Sequence, residues 1–220
     1  MFKLSGAALI GSFVLSVAGG ALHPIVDGES HSVAALTAPA SPYAQLLIYA
    51  GAVLLTAGLP AMFVFLAPHV GRIGITGILL YFFGNLLSVQ GHLVVEAFVA
   101  PEIARDPATR HLISSNGEII ASDAFIAFQI AGGVVFIASL VLLGIGLFRS
   151  GVVPKAVGAF LIAGAALMFV PLPEIPVLTG LHIELPRGLA VAAVGLAMIR
   201  AARSAAPAAR PAPDKTLLEV

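Results

Sequence analysis

The sequence contains no cysteine and no tryptophan. Without cysteine there is no disulfide, no thiolate metal site and no CxxC redox centre. Charge is scarce as well. Only 10% of the 220 residues are Asp, Glu, Lys or Arg, against about a quarter in a soluble domain. The 11 basic and 11 acidic residues cancel, so no basic excess exists to hold a phosphate backbone, and nucleic-acid binding is excluded. What is abundant is apolar: 59% of the residues are hydrophobic and mean hydropathy is +1.05. A soluble chain of this length has too little interior to hide that surface. The composition predicts an all-α, multi-pass membrane protein, because a helix satisfies its own backbone in lipid.

A spanning helix needs about 20 mostly apolar residues. Six segments qualify: 4–22, 43–66, 73–100, 116–148, 152–170 and 176–201. Ser41 and Pro42 suit the N-cap and first position of the second segment. Pro101 ends the third. Ser115 and Glu118 have capping-box spacing at the start of the fourth. Residues 1–202 therefore read as one six-helix transmembrane domain without internal repeat. Residues 203–220, rich in Ala and Pro, read as a disordered cytoplasmic tail. Residues 1–21 also have the layout of a signal peptide, with Lys3, an apolar run and small residues up to Ala21; they are read here as an uncleaved span.

Six spans put both termini on one side. That side carries Lys3, Arg72, Arg149, Lys155, Arg200, Arg203, Arg210 and Lys215; the other carries Arg105, Arg110 and Arg187. The positive-inside rule then places both termini in the cytoplasm of a cell-membrane protein.

The other ionisable residues gather on the outer side. Five of the six histidines fall there: His23 and His31 in the first outer loop, His92 in the third span, His111 in the second outer loop and His182 in the sixth span. The third span is the most informative. Tyr81, Asn85, Ser88, His92 and Glu96 are spaced as one face of an α-helix. A polar stripe there must avoid lipid, since a charged group in hydrocarbon costs several kcal/mol. The fourth span offers Glu118, Ser122, Phe125 and Gln129, with Asp123 beside them; the second offers Gln45, Tyr49 and Thr56; the sixth offers His182 and an i,i+3 pair, Glu184 and Arg187. Polar residues between membrane helices also serve as packing glue, which suits Asn85, Ser88 and Gln129. His92 and Glu96 differ, because an intramembrane acid one turn from a histidine is costly to keep. His23, Asp27 and His31 read as exposed-loop residues.

A histidine and a carboxylate one helical turn apart can handle protons. A second acid, Glu118 or Asp123, would act from the other side of the substrate. Leu, Val, Phe and Ala around the pair imply a greasy substrate, and Tyr81, Asn85, Ser88, Ser122, Phe125, Gln129, His182, Glu184 and Arg187 are the candidate residues to bind it. The expected chemistry is acid–base isomerisation or cyclisation of a lipid or isoprenoid.

The run Gly91-His92-Leu93-Val94-Val95-Glu96 resembles the His-Leu-Val-x-Glu motif of the emopamil-binding protein family, which are membrane sterol isomerases. The resemblance implies that His92 and Glu96 take part in proton transfer at a double bond, without a cofactor, and that Glu118 or Asp123 stands for the acid on the next helix. Membrane terpene cyclases use a similar idea. That family has five spans, against six counted here.

Two other readings stay open. His92 and His182 at similar depth could ligate haem, or His92, Glu96, His182 and Glu118 could hold a divalent metal such as zinc or copper. A small transporter is the third, although few polar groups lie on the cytoplasmic side. The partners expected are an apolar small molecule and membrane lipid; oligomeric state stays open. Reporter fusions at residues 35 and 110 should read as external, and a cytoplasmic signal at either would overturn the orientation.

Overall fold

The computed structural model describes residues 1–114, 118–170 and 173–204. The predicted cap Ser115, the predicted span start Asn116, the side chain of Ser88 and the tail beyond 204 lie outside that set. The described residues are helical, with two isolated bridges in place of strands. In chain order the helices are α1 (Phe2–Leu22), α2 (Val33–Leu36), α3 (Ser41–Leu66), α4 (Gly71–Gly84), α5 (Gly91–Val94), α6 (Ala100–Arg105), α7 (Asp123–Ser150), α8 (Lys155–Leu167) and α9 (Leu178–Ser204). Two π-helical stretches, Asn85–Gln90 and Val95–Val99, join α4, α5 and α6 into one run, Gly71–Arg105.

Five helical segments are long and apolar enough to cross a membrane: Phe2–Leu22, Ser41–Leu66, Gly71–Arg105, Asp123–Ser150 and Leu178–Ser204. The fifth of the six expected segments is shorter than predicted. Pro154, which has no N–H to donate, precedes Lys155, and regular helix ends at Leu167, leaving 13 residues. At 1.5 Å per residue that is about 20 Å, less than the roughly 30 Å hydrocarbon core. Side chains such as Val14, Phe83, Ile130 and Val134 are more than half exposed. So many outward apolar side chains suit lipid contact rather than water.

Other boundaries also moved. Pro101 does not end the third span: it sits in the first turn of α6, directly after the second π stretch. Ser41 is the first residue of α3 rather than its cap, which is Ala40. The fourth span also starts later than expected: α7 begins at Asp123, after Ser122, and Glu118 lies in the segment before it.

Small residues set the packing. Gly6 meets Gly195 and Gly20 meets Gly180, so α1 and α9 run antiparallel with their backbones in contact. Gly51 and Gly58 of α3 bear on Ser16 and Leu9 of α1, and Gly74 and Gly84 of the third span on Gly146 and Phe136 of α7. Close approach through small residues is how membrane helices gain contact without a hydrophobic drive. The main core, including Leu9, Met62, Tyr81, Phe136, Leu140 and Met198, lies between these helices. A second, smaller core of Leu36, Ala100, Ala104, Ile113 and Ile119 holds α2 and α6 to the segment before α7.

A side chain at Gly180 would overlap the backbone of Gly20, whereas one at Gly133 would meet nothing within 4 Å. Gly180→Val should therefore lower stability by about 1–3 kcal/mol, and Gly133→Ala should stay within about 0.5 kcal/mol of wild type. Thermal unfolding in detergent measures both.

Candidate functional site

The third span is not a regular helix where its polar residues lie. Each π turn holds one more residue than an α turn and rotates the residues after it relative to those before. The predicted stripe therefore splits. Tyr81 is fully buried in the main core against Phe136, ring centroids 5.5 Å apart. The Asn85 amide donates to Thr56 Oγ1 of α3 at 2.7 Å, and Gln90 donates to the same oxygen at 2.7 Å. These residues act as helix glue. His92 and Glu96 alone of the described stripe face the cavity.

Glu96 is 2% exposed and is the point where distant segments meet. His23 Nε2 lies 2.6 Å from Glu96 Oε1, and His31 Nε2 lies 3.3 Å from the same oxygen. His92 Nε2 is 3.5 Å from Oε2. Gln45 of α3 donates to Oε1 at 3.4 Å. The outer ring nitrogens are also engaged: His92 Nδ1 lies 2.5 Å from Gln129 Oε1 of α7, and His23 Nδ1 lies 3.3 Å from the carbonyl oxygen of Pro24.

Local structure explains how two loop histidines arrive there. His23 caps α1 in extended conformation, which turns the chain across the helix end. Val26 and Glu29 then pair around Asp27 and Gly28, both with positive φ. That is the Asp-Gly turn geometry of a tight reversal, and it sends the chain back so that His31 stands 6.0 Å from His23, centroid to centroid. Ser32 Oγ accepts from the Ala35 N–H at 3.1 Å and starts α2, which fixes the residue before it. Burial opposes a charge on His23. The hydrogen bond to Glu96 and its negative charge outweigh that burial, so the imidazole pKa is raised above its ordinary value.

The four residues form one end of a cavity of about 340 Å³. Its walls are apolar, with Ile48, Val89, Leu93, Phe136, Ile137 and Met168. Thr179, Glu184 and Arg187 of α9 also line it. Arg187 pairs with Glu184 and stands 5.3 Å over the Phe136 ring. This pair is buried, as its i,i+3 spacing allowed.

Several expected site residues are elsewhere. Glu118 is half-buried in the segment before α7, and Asp123 is exposed at the first turn of that helix; neither lines the cavity. Because α7 begins at Asp123 rather than at 116, both acids sit beyond the helical wall that carries Gln129. Ser122 is the N-cap residue of α7, and Phe125 packs on the smaller core. His182 does not line the cavity either, so the facing His92–His182 pair expected of a haem site is not formed. Among the described residues, the carboxylates that do face the cavity are Glu96 and Glu184. His23 and His31 were missed as exposed-loop residues. The signal for them was the Asp27-Gly28 turn midway between two histidines.

No family model, curated protein or solved structure matches this chain.

Removing one member of the α9 pair leaves the other buried alone. Arg187→Met should cost about 3–5 kcal/mol, and the double variant Glu184→Gln with Arg187→Met should cost less than that single change. Unfolding midpoints in detergent decide the order.

Proposed function

We propose that this protein is an integral membrane enzyme acting on a lipid or isoprenoid substrate, with Glu96 and its histidines as the reacting centre. In this reading both termini are cytoplasmic, and α8 with the apolar residues that flank it completes a sixth crossing. The observation that carries the reading is the cavity: apolar walls end on a buried carboxylate held by three histidines. A cavity of about 300 Å³ or more with a few convergent polar groups is the usual form of a small-molecule site. A purely structural carboxylate would have no need of an apolar chamber beside it.

The reaction class expected from the resemblance, a double-bond shift or cyclisation, calls for groups on both sides of the substrate. Glu184 with Arg187, rather than Glu118 or Asp123, would supply the second polar face. The haem reading loses its second axial ligand once His182 is outside the cavity.

Membranes of a host making the wild type, Ile137→Trp or Glu96→Gln test this directly. Ile137→Trp fills the cavity from α7 without touching the polar cluster. Mass spectrometry of the lipid and isoprenoid extract should show a species formed or consumed in wild type alone, at equal amounts of folded protein. Extracts that match the empty host in all cases would overturn the reading.

A further inference from the structure

From the ring nitrogens of the histidines we infer that the Glu96 centre is a binding site for one divalent transition-metal ion of the zinc class, with His23, His31, His92 and Glu96 as ligands. The inference rests on the same cavity as the proposed function but on a different observation.

A neutral imidazole has one N–H and one bare nitrogen. Both nitrogens of His23 face oxygen acceptors that cannot donate: the Pro24 carbonyl at 3.3 Å and a Glu96 carboxylate oxygen at 2.6 Å. Both nitrogens of His92 likewise face oxygens, Gln129 Oε1 at 2.5 Å and Glu96 Oε2 at 3.5 Å. In the tautomer that donates its N–H to Pro24 O or to Gln129 Oε1, the inner nitrogen of each ring turns a lone pair toward the Glu96 carboxylate. Two lone pairs against a negative group repel unless positive charge stands between them. A proton serves one nitrogen at a time, whereas a metal ion serves all of them together.

The spacing fits an ion. Nitrogen and oxygen ligands at about 2.0–2.1 Å in tetrahedral geometry stand about 3.3 Å apart. His31 lies 3.3 Å from Glu96 Oε1 and His92 3.5 Å from the other oxygen, Oε2, so an ion shared by both has to be held by both carboxylate oxygens. His23 at 2.6 Å has to draw back by about 0.7 Å, to the separation that zinc coordination sets. One ligand atom from each of His23, His31 and Glu96 already lies within 4.8 Å of the others; His92 stands outside that group and has to move inward to complete the shell.

The surroundings fit as well. Ligating histidines characteristically donate their other N–H to a carbonyl or carboxylate, which fixes the ring. Pro24 O and Gln129 Oε1 are those acceptors, and Gln45 orients the carboxylate. Gln129 and Gln45 are therefore positioning residues. Three imidazoles and one carboxylate, with no thiolate, is a donor set for zinc, copper or nickel rather than magnesium or calcium. All four ligands line the cavity, and a zinc shell expands to five-coordinate. A substrate oxygen can then join the ion as a Lewis base, which supplies polarisation at the polar end of an apolar chamber.

The test uses the full chain, purified without a histidine tag, stripped with chelator and titrated with Zn²⁺ and with Co²⁺. One equivalent should bind, the Co²⁺ form should show the visible bands of a low-coordinate nitrogen–oxygen site, and X-ray absorption of the Zn²⁺ form should count three imidazoles. His31→Ala and His92→Ala should each weaken binding about 100-fold or more, Gln129→Leu about 10–100-fold, and His182→Ala should leave it unchanged. The wild-type imidazole count is a readout that does not depend on whether a ligand variant folds. Absence of stoichiometric binding, fewer than two imidazoles, or affinity that survives loss of His31 and His92 would overturn the metal site and assign the charge to a proton. Lipid conversion by protein that takes up no metal would overturn the metal site while leaving the enzyme reading intact. Stoichiometric metal with no change in lipid extracts would retain the site and remove the enzyme.

Discussion

The structure around the cavity depends on one buried carboxylate. Glu96 sits inside an apolar bundle, where an ionised group without partners would cost many kcal/mol. The fold meets that cost by converging on it. A histidine comes from the end of α1, another from the turn before α2, a third from the same helical run, and an amide from α3. A further amide, Gln129 of α7, is tied to the centre through His92. The close Gly20–Gly180 contact serves the same end, because it brings the end of α1 and the start of α9 together beside the centre.

The third span departs from ideal α-helix on both sides of His92. Two π turns occur in the described chain, one immediately before His92 and one containing Glu96. A π turn forgoes good backbone geometry and is kept where it aims a side chain. Here it separates two sets of polar residues that an ideal helix would stack. Tyr81 and Asn85 turn into helix–helix contacts, and His92 and Glu96 turn into the chamber. The Asp27-Gly28 reversal makes the same kind of exchange in the outer loop, using positive φ to return His31 to His23.

Charge is handled differently at the two polar places on the cavity wall. Glu184 and Arg187 come from one helix, three residues apart, and neutralise each other locally. That pair asks nothing of the rest of the chain beyond burial. The Glu96 cluster is assembled across 73 residues of sequence, from His23 to Glu96, and the ring nitrogens of His23 and His92 face oxygen on both sides. The first arrangement is complete as it stands; the second calls for a proton or an ion. That difference is why the proposed reacting centre is Glu96 and not Glu184.

Composition and hydropathy by themselves determined that this is an all-helical chain with several apolar helices of membrane-crossing length, because transfer of apolar residues into lipid is additive along a chain. They also marked His92 and Glu96, since an acid and a histidine one turn apart within an apolar run are visible at short range. The Glu184–Arg187 pair was legible for the same reason. Tertiary structure alone decided which other groups join them. His23 and His31 look like loop residues until a tight turn folds them onto Glu96, and Glu118 and Asp123 look like partners until the late start of α7 leaves them outside. Helical periodicity carries over about one turn; a π turn, a reversal in a loop or a shift in a helix start changes which residues meet, and these are fixed by packing between segments that sequence distance does not reveal.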